Sequence, residues 1–147
     1  MSAEAPTTPR AACYFPDEVT VALCIYGEAL DPGELTQLLG VNPTHEHKTG
    51  HRETLRAPPS SKGAWIYEIR RFEPIDPDNM LEELLASLPQ EEHFWERLAS
   101  RFELQIHFAI HTDVGCTFKL SPLTIRRVSR THATFQIYIQ AYGDNDA

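Results

Sequence analysis

Residues 27–50, GEALDPGELTQLLGVNPTHEHKTG, decide the fold. Asp31 is a residue type that caps helix N-termini, and Pro32 suits the first helical position. Gly40 can adopt the left-handed conformation that ends a helix. The apolar residues between these points recur at helical spacing, at Leu35, Leu38 and Leu39. The stretch therefore predicts one short helix between a preceding strand and a long polar loop over 42–63.

Five other segments alternate apolar and more polar residues, as strands with one buried face do. They are residues 19–26, 64–72, 102–111, 116–120 and 135–140. The third and fourth flank a turn at 113–115, which predicts a hairpin. A short strand near 54–56 is an open alternative within the polar loop.

Helical spacing also recurs after the Asp76-Pro77 and Ser121-Pro122 dipeptides. Leucines at i, i+3, i+4 and i+7 predict a helix over 77–88. Pro89 should break it and open a second helix. The last helix runs from 122 to about 130.

This order of elements predicts an α+β fold, with a mostly antiparallel sheet and helices packed on one face. The boundaries are a flexible lead-in at 1–16, a single domain at 17–142 and an acidic tail at 143–147. We expect ten strand residues to face the helices. They are Val19, Val21, Leu23, Ile25, Leu104, Ile106, Phe108, Ile110, Ile137 and Ile139.

Composition and net charge disfavour several classes of partner and site. The 147 residues carry a formal net charge of -8, which disfavours nucleic-acid and anionic-membrane partners. Three cysteines without a C-x-x-C pair predict reduced thiols rather than disulfides or a zinc knuckle. With no apolar leader at the N-terminus, we expect a cytoplasmic protein.

The stretch at 27–50, read with a tryptophan-bearing strand, resembles the bacterial DUF4279 family, a domain of unknown function. The resemblance covers about residues 17–142 and implies a small soluble protein with no assigned activity. The run from His45 to His47 departs from what we expect of the family. The residues that carry the resemblance are Gly27, Leu30, Asp31, Pro32, Glu34, Leu35, Thr36, Leu39, Gly40, Pro43, Thr44, Lys48, Gly50 and Trp65.

Three loop histidines, His45, His47 and His51, are the candidate metal ligands. Two histidines that alternate in an extended segment point the same way and can share zinc or nickel. Glu53 or His111 could complete a site. Because no cysteine or H-E-x-x-H helix supports the set, the sequence predicts no native metal and no cofactor.

Two histidines on one strand, His107 and His111, are the candidate catalytic residues. They share the more polar face and could act as acid and base in a cleft. The alternative is that both are ordinary hydrogen-bonded residues on a solvent-facing sheet.

Basic residues concentrate in the last helix, at Arg126, Arg127 and Arg130. With Lys119 they could bind a phosphate or an acidic partner, or form a solvated helix face. Lys48, in the long loop, could contact a ligand anion or bond to a helix C-terminus.

Two hypotheses of function follow. The first is a non-enzymatic protein-binding or regulatory module, of which toxin neutralisation is one form. The second is a small enzyme with a cleft between the 42–63 loop and the sheet face bearing His107 and His111. The lack of a persuasive catalytic spacing favours the first.

Overall fold

The computed structural model describes residues 15–113 and 115–141. Almost all of the predicted lead-in at 1–16 and all of the tail at 143–147 lie outside the described residues.

A five-stranded sheet forms the centre of the domain. Its strands are β1 (Glu18–Gly27), β2 (His45–His47), β3 (Gly63–Arg71), β4 (Glu103–Thr112) and β5 (Thr134–Ala141), in the order β2-β3-β1-β4-β5. All neighbouring pairs are antiparallel except β4 and β5, which are parallel. The predicted α+β fold with a mostly antiparallel sheet is confirmed.

In the described parts of the chain, four helices connect these strands: α1 (Pro32–Leu39), α2 (Pro77–Ala86), α3 (Glu92–Arg101) and α4 (Pro122–Arg130). The predicted caps are confirmed, because Asp31, Asp76 and Ser121 each accept a backbone N–H of the first turn. Gly40, at φ 78°, ends α1. Among the described helices, none combines the length and apolar character needed to cross a bilayer.

The prediction that Pro89 opens a helix is wrong, because α3 begins only at Glu92. Residues 89 and 90 close α2 instead. The Gln90 amide donates to the carbonyls of Leu85 and Leu88 at 2.9 and 2.6 Å. The Leu85 carbonyl also accepts from the Leu88 N–H at 3.1 Å, so the Gln90 amide adds a further bond just after the end of α2.

The core lies between the sheet and the helices. The predicted residues of β1 and β4, together with Trp65, are all less than 5% exposed. The register agrees with the predicted face for Ile137 and Ile139 as well, but these two residues are 51% and 64% exposed. Their register opposite Phe108 and Ile110 puts them on the expected face, but within the described part of the chain β5 is an edge strand with a neighbour on one side only.

The predicted hairpin is also wrong. Residues 115–120 form no strand, because β4 pairs with β1 on one edge and with β5 on the other. Their apolar side chains pack on the core, as Phe118 does edge-on against Phe108 at 5.4 Å between ring centroids. The short strand lies at β2 rather than near 54–56, where the chain turns.

Candidate functional site

A cleft of about 170 Å³ opens where α2, α3 and α4 meet, on the helical side of the domain. Leu85 and Trp95 form buried apolar walls. Leu123 from α4 adds an exposed apolar edge. Arg127 and Arg130, one turn apart on α4, complete the lining with Pro89, Gln90 and Thr131. The structure therefore brings together two of the three predicted arginines.

Neither cleft arginine has an acidic partner among the described residues within 4.0 Å. This contrasts with Arg101, whose guanidinium makes a two-pronged contact with Glu34 at 3.1 and 3.0 Å. Arg127 is half-buried and Arg130 is exposed. Their place in the last turn of α4 is favourable because the C-terminal end of a helix is partly negative.

The other predicted basic residues lie elsewhere. Arg126 is exposed on α4 and does not line the cleft. Lys119 lines a separate shallow cleft with Phe15, Asp76 and Phe118. Lys48 is exposed, and only its backbone is engaged among the described residues, as an acceptor from the His51 N–H at 3.1 Å.

Internal hydrogen bonds occupy the polar groups on the cleft walls. The Trp95 indole donates to the Pro89 carbonyl at 2.9 Å, and the Thr131 hydroxyl donates to the Val128 carbonyl at 2.6 Å. The guanidinium groups of the two cleft arginines are the donors left for a ligand. Such a site suits an anionic group carried on an apolar stem, because guanidinium forks bind carboxylates and phosphates.

A second cluster, which the sequence analysis missed, lies beside this cleft. Ligand atoms of Glu92, Glu96 and His132 all lie within 4.8 Å of one another, and all three residues are exposed. His132 contacts Glu92 at 3.0 Å and has a positive φ of 58°. The i, i+4 glutamates on α3 are visible in the sequence, but the approach of His132 depends on the tertiary fold. This trio could hold a divalent cation or serve as a surface ion pair.

The three loop histidines are neighbours without forming a shared coordination centre. The His47 ring stacks on His51 at 5.4 Å and meets His45 edge-on at 6.1 Å between centroids. Among the residues that the structure describes, the Glu92 trio is the group whose ligand atoms converge, and the three loop histidines are not in it.

The two strand histidines occupy the sheet face opposite the helices. His107 contacts the Gln105 side chain at 2.6 Å, and burial lowers the His107 pKa. The chain of bonds continues from Gln105 to Glu103 at 2.6 Å and from Lys62 to Glu103 at 3.0 Å. His111 meets Tyr138 edge-on at 6.1 Å between ring centroids. Strands β1 and β3 separate β4 from β2, so the start of the long loop lies across the sheet from both histidines.

Cys24, on the same open face, lacks the features of a nucleophile. Burial raises its pKa to about 11, and the charge of Glu68 adds to the rise, while a hydrogen bond with Tyr26 opposes it. Burial and the neighbouring Cys24 raise the pKa of Tyr26 to about 12. A reactive cysteine needs a lowered pKa and solvent access.

Comparison with known proteins yields a family and no activity. The family model described as domain of unknown function, DUF4279, matches residues 17–142. No curated protein and no solved structure matches the chain. The family has no assigned activity. Because the match covers most of the sequence, the chain belongs to the DUF4279 family.

Proposed function

We propose that this protein is a non-enzymatic protein-binding module of regulatory type, which receives an acidic side chain of its partner in the α2–α3–α4 cleft. One observation carries the proposal. Arg127 and Arg130 stand at a cleft with both apolar and polar walls, without an acidic partner among the described residues. In a chain of net charge -8, acidic groups to neutralise them are abundant, so two arginines without one suit an external anion.

The small volume of the cleft favours a side chain of a partner protein, rather than a free metabolite, as its ligand. Pockets for small molecules and cofactors usually measure about 300–1,000 Å³. The volume here, about 170 Å³, is well below that range. A glutamate or aspartate that projects from a protein surface would fill it, with its apolar stem against Leu85 and Trp95.

Because the rest of the molecule is acidic, binding of an acidic partner has to rely on short-range contacts. A net charge of -8 repels an acidic partner at long range, so affinity must come from contacts at the cleft. A bacterial, cytoplasmic regulatory module fits this design, and neutralisation of a toxin through an acidic loop is one form of it. Nucleic acids and membranes are not partners in this proposal.

The second candidate, a small enzyme, rests on a different observation. The hydrogen-bonded chain Lys62–Glu103–Gln105–His107 links the end of the long loop to a strand histidine. A neutral imidazole in such a chain could accept a proton from a substrate. Hydrolysis of a panel of ester and amide substrates, lost in His107→Gln, would favour this candidate.

The test of the proposed function is a screen of short immobilised peptides that carry Glu, Asp or phosphoserine beside an apolar residue. We expect saturable binding of the untagged protein to the acidic members. The double variant Arg127→Gln/Arg130→Gln should bind at least about tenfold more weakly, since a hydrogen bond to a charged group contributes about 1.5–3 kcal/mol.

Arg126→Gln removes one positive charge from the same helix without touching the cleft, so it is the matched control for Arg127→Gln and Arg130→Gln made singly. It should bind as the wild type does. Equal weakening by Arg126→Gln would mean that only net charge matters, and failure of every acidic peptide to bind would refute the proposal.

A further inference from the structure

The two edges of the sheet differ in how they are protected. At one edge, β2 is only three residues long and carries Glu46. At the other, β5 is eight residues long, with the sequence TFQIYIQA. It contains no charge and no proline, which are the usual devices against pairing with another chain. Within residues 15–113 and 115–141, β5 pairs with β4 on one side and with no strand on the other.

Three of the exposed side chains of β5 are large and hydrophobic. Ile137, Tyr138 and Ile139 are 51%, 53% and 64% exposed. The two isoleucines lie on the helical face of the sheet, because they stand in register with the buried Phe108 and Ile110.

Helix α4 extends this apolar rim. Thr124 and Val128 point into the core, and Arg127 points toward the cleft shared with α2. At 100° per residue, Ile125 projects from the opposite flank of α4, away from α2. Since α2 packs over β1 and α4 follows β4 into β5, that flank faces the free edge. Ile125 is 54% exposed there.

We propose that this edge is the interface of a symmetric homodimer, in which β5 pairs antiparallel with β5 of a second copy to give a continuous ten-stranded sheet. The strand is self-complementary about Tyr138. Ile137 then lies opposite Ile139 of the second copy, and Phe135 lies opposite Ala141, all on the helical face. Gln136 lies opposite Gln140 on the other face.

The lack of charged residues on β5 favours a second copy of this chain as the partner that pairs with it. A strand from an unrelated protein would need its own match to this pattern, whereas a second copy supplies the match at every position. The remaining surface of this chain is strongly acidic and repels other copies, but β5 brings no charge to the axis. The edge would gain roughly eight backbone hydrogen bonds, about one per paired residue.

The first test is sedimentation of the untagged full chain over about a hundredfold range of concentration. We expect a dimer for the wild type and for Leu55→Lys, which adds a charge at a 95% exposed leucine far from β5. Ile139→Lys should dissociate at least about tenfold more readily, because it places an ammonium opposite an isoleucine near the axis.

The second test uses disulfide trapping and does not depend on weakening the interface. Opposed residues of antiparallel strands have Cα atoms about 4.5–5.5 Å apart, within reach of a disulfide. Tyr138→Cys sits on the axis and should link to position 138 of the second copy under mild oxidation. Gln136→Cys, on the same face, has its equivalent about 14 Å away and should not.

Three results would contradict the proposed interface. A wild-type monomer across the range would overturn it, whether residues 1–14 cover β5 or nothing does. A dimer indifferent to Ile139→Lys, or one trapped through position 136 but not 138, would place the contact elsewhere or in another register. Should Ile139→Lys fail to fold, the trapping result alone decides.

Discussion

At the residue scale, His107 offers a direct measurement of its environment. Burial lowers its pKa, so the folded protein holds the ring neutral at pH values where the unfolded chain, with a pKa of about 6.5, is protonated. Stability should therefore decrease as pH falls from about 6.5 toward the lowered pKa, and be unaffected by this group above that range.

We expect a ring titration followed by NMR to give a His107 pKa below about 6.5. His107→Gln should flatten the pH dependence of the unfolding free energy in the same window. A ring that titrates at or above the usual value would contradict the burial that we describe.

Cys24 provides the second residue-scale prediction. It is 2% exposed, and its pKa is raised to about 11, so at pH 8 only about one thiol in a thousand is ionised. We expect iodoacetamide to leave Cys24 unmodified in the native protein and to modify it after denaturation, as read by peptide mass spectrometry. Rapid native labelling at this position would show that β1 opens far more readily than a central strand should.

At the element scale, β4 is a strand whose loss should damage the fold, because it pairs with β1 on one side and with β5 on the other. Ile106 is fully buried between the sheet and the helices. Ile106→Ala should lower the unfolding free energy by about 2–5 kcal/mol in urea denaturation, because it removes buried methyl groups and leaves a cavity. Leu55→Ala, at a 95% exposed residue, should change it by less than about 0.5 kcal/mol. A cost that small for Ile106→Ala would mean that the assigned faces of β4 are reversed.

Local signals were sufficient for most elements. The Asp-Pro and Ser-Pro starts located α1, α2 and α4, and the period of two located β1, β3 and β4. Apart from the helix start predicted at Pro89, the failures concerned strand pairing. Residues 116–120 alternate as a strand does, yet both edges of β4 were already occupied, and nothing local to 116–120 records that.

The same limit explains why the exposure of β5 and the cleft beside α4 were not predicted. Alternation placed Ile137 and Ile139 on the correct face, but whether a neighbour covers that face depends on β5 being an edge strand. The arginines of α4 were recognised as a basic cluster. The cleft beside them could not be recognised, because its buried walls, Leu85 of α2 and Trp95 of α3, lie far from these arginines in sequence.

At the scale of the whole molecule, stability should not depend on a metal. The rings of the three loop histidines are neighbours but their ligand atoms do not converge, and the Glu92 trio is exposed. We expect a chelator to change the melting temperature by less than about 1 °C, whereas a tightly bound native ion would shift it by several degrees. A stoichiometric metal in untagged protein, lost together with stability in His47→Ala, would contradict this expectation.

The central claim, that the α2–α3–α4 cleft binds an acidic side chain, is tested most directly by NMR titration of the full chain with a leucyl-glutamate dipeptide blocked at its N-terminus. The account predicts saturable shifts of the Trp95 indole N–H and of backbone amides near Arg127 and Thr131, absent in the Arg127→Gln/Arg130→Gln variant. Shifts confined to the open sheet face around His107 and His111, with none at Trp95, would contradict it.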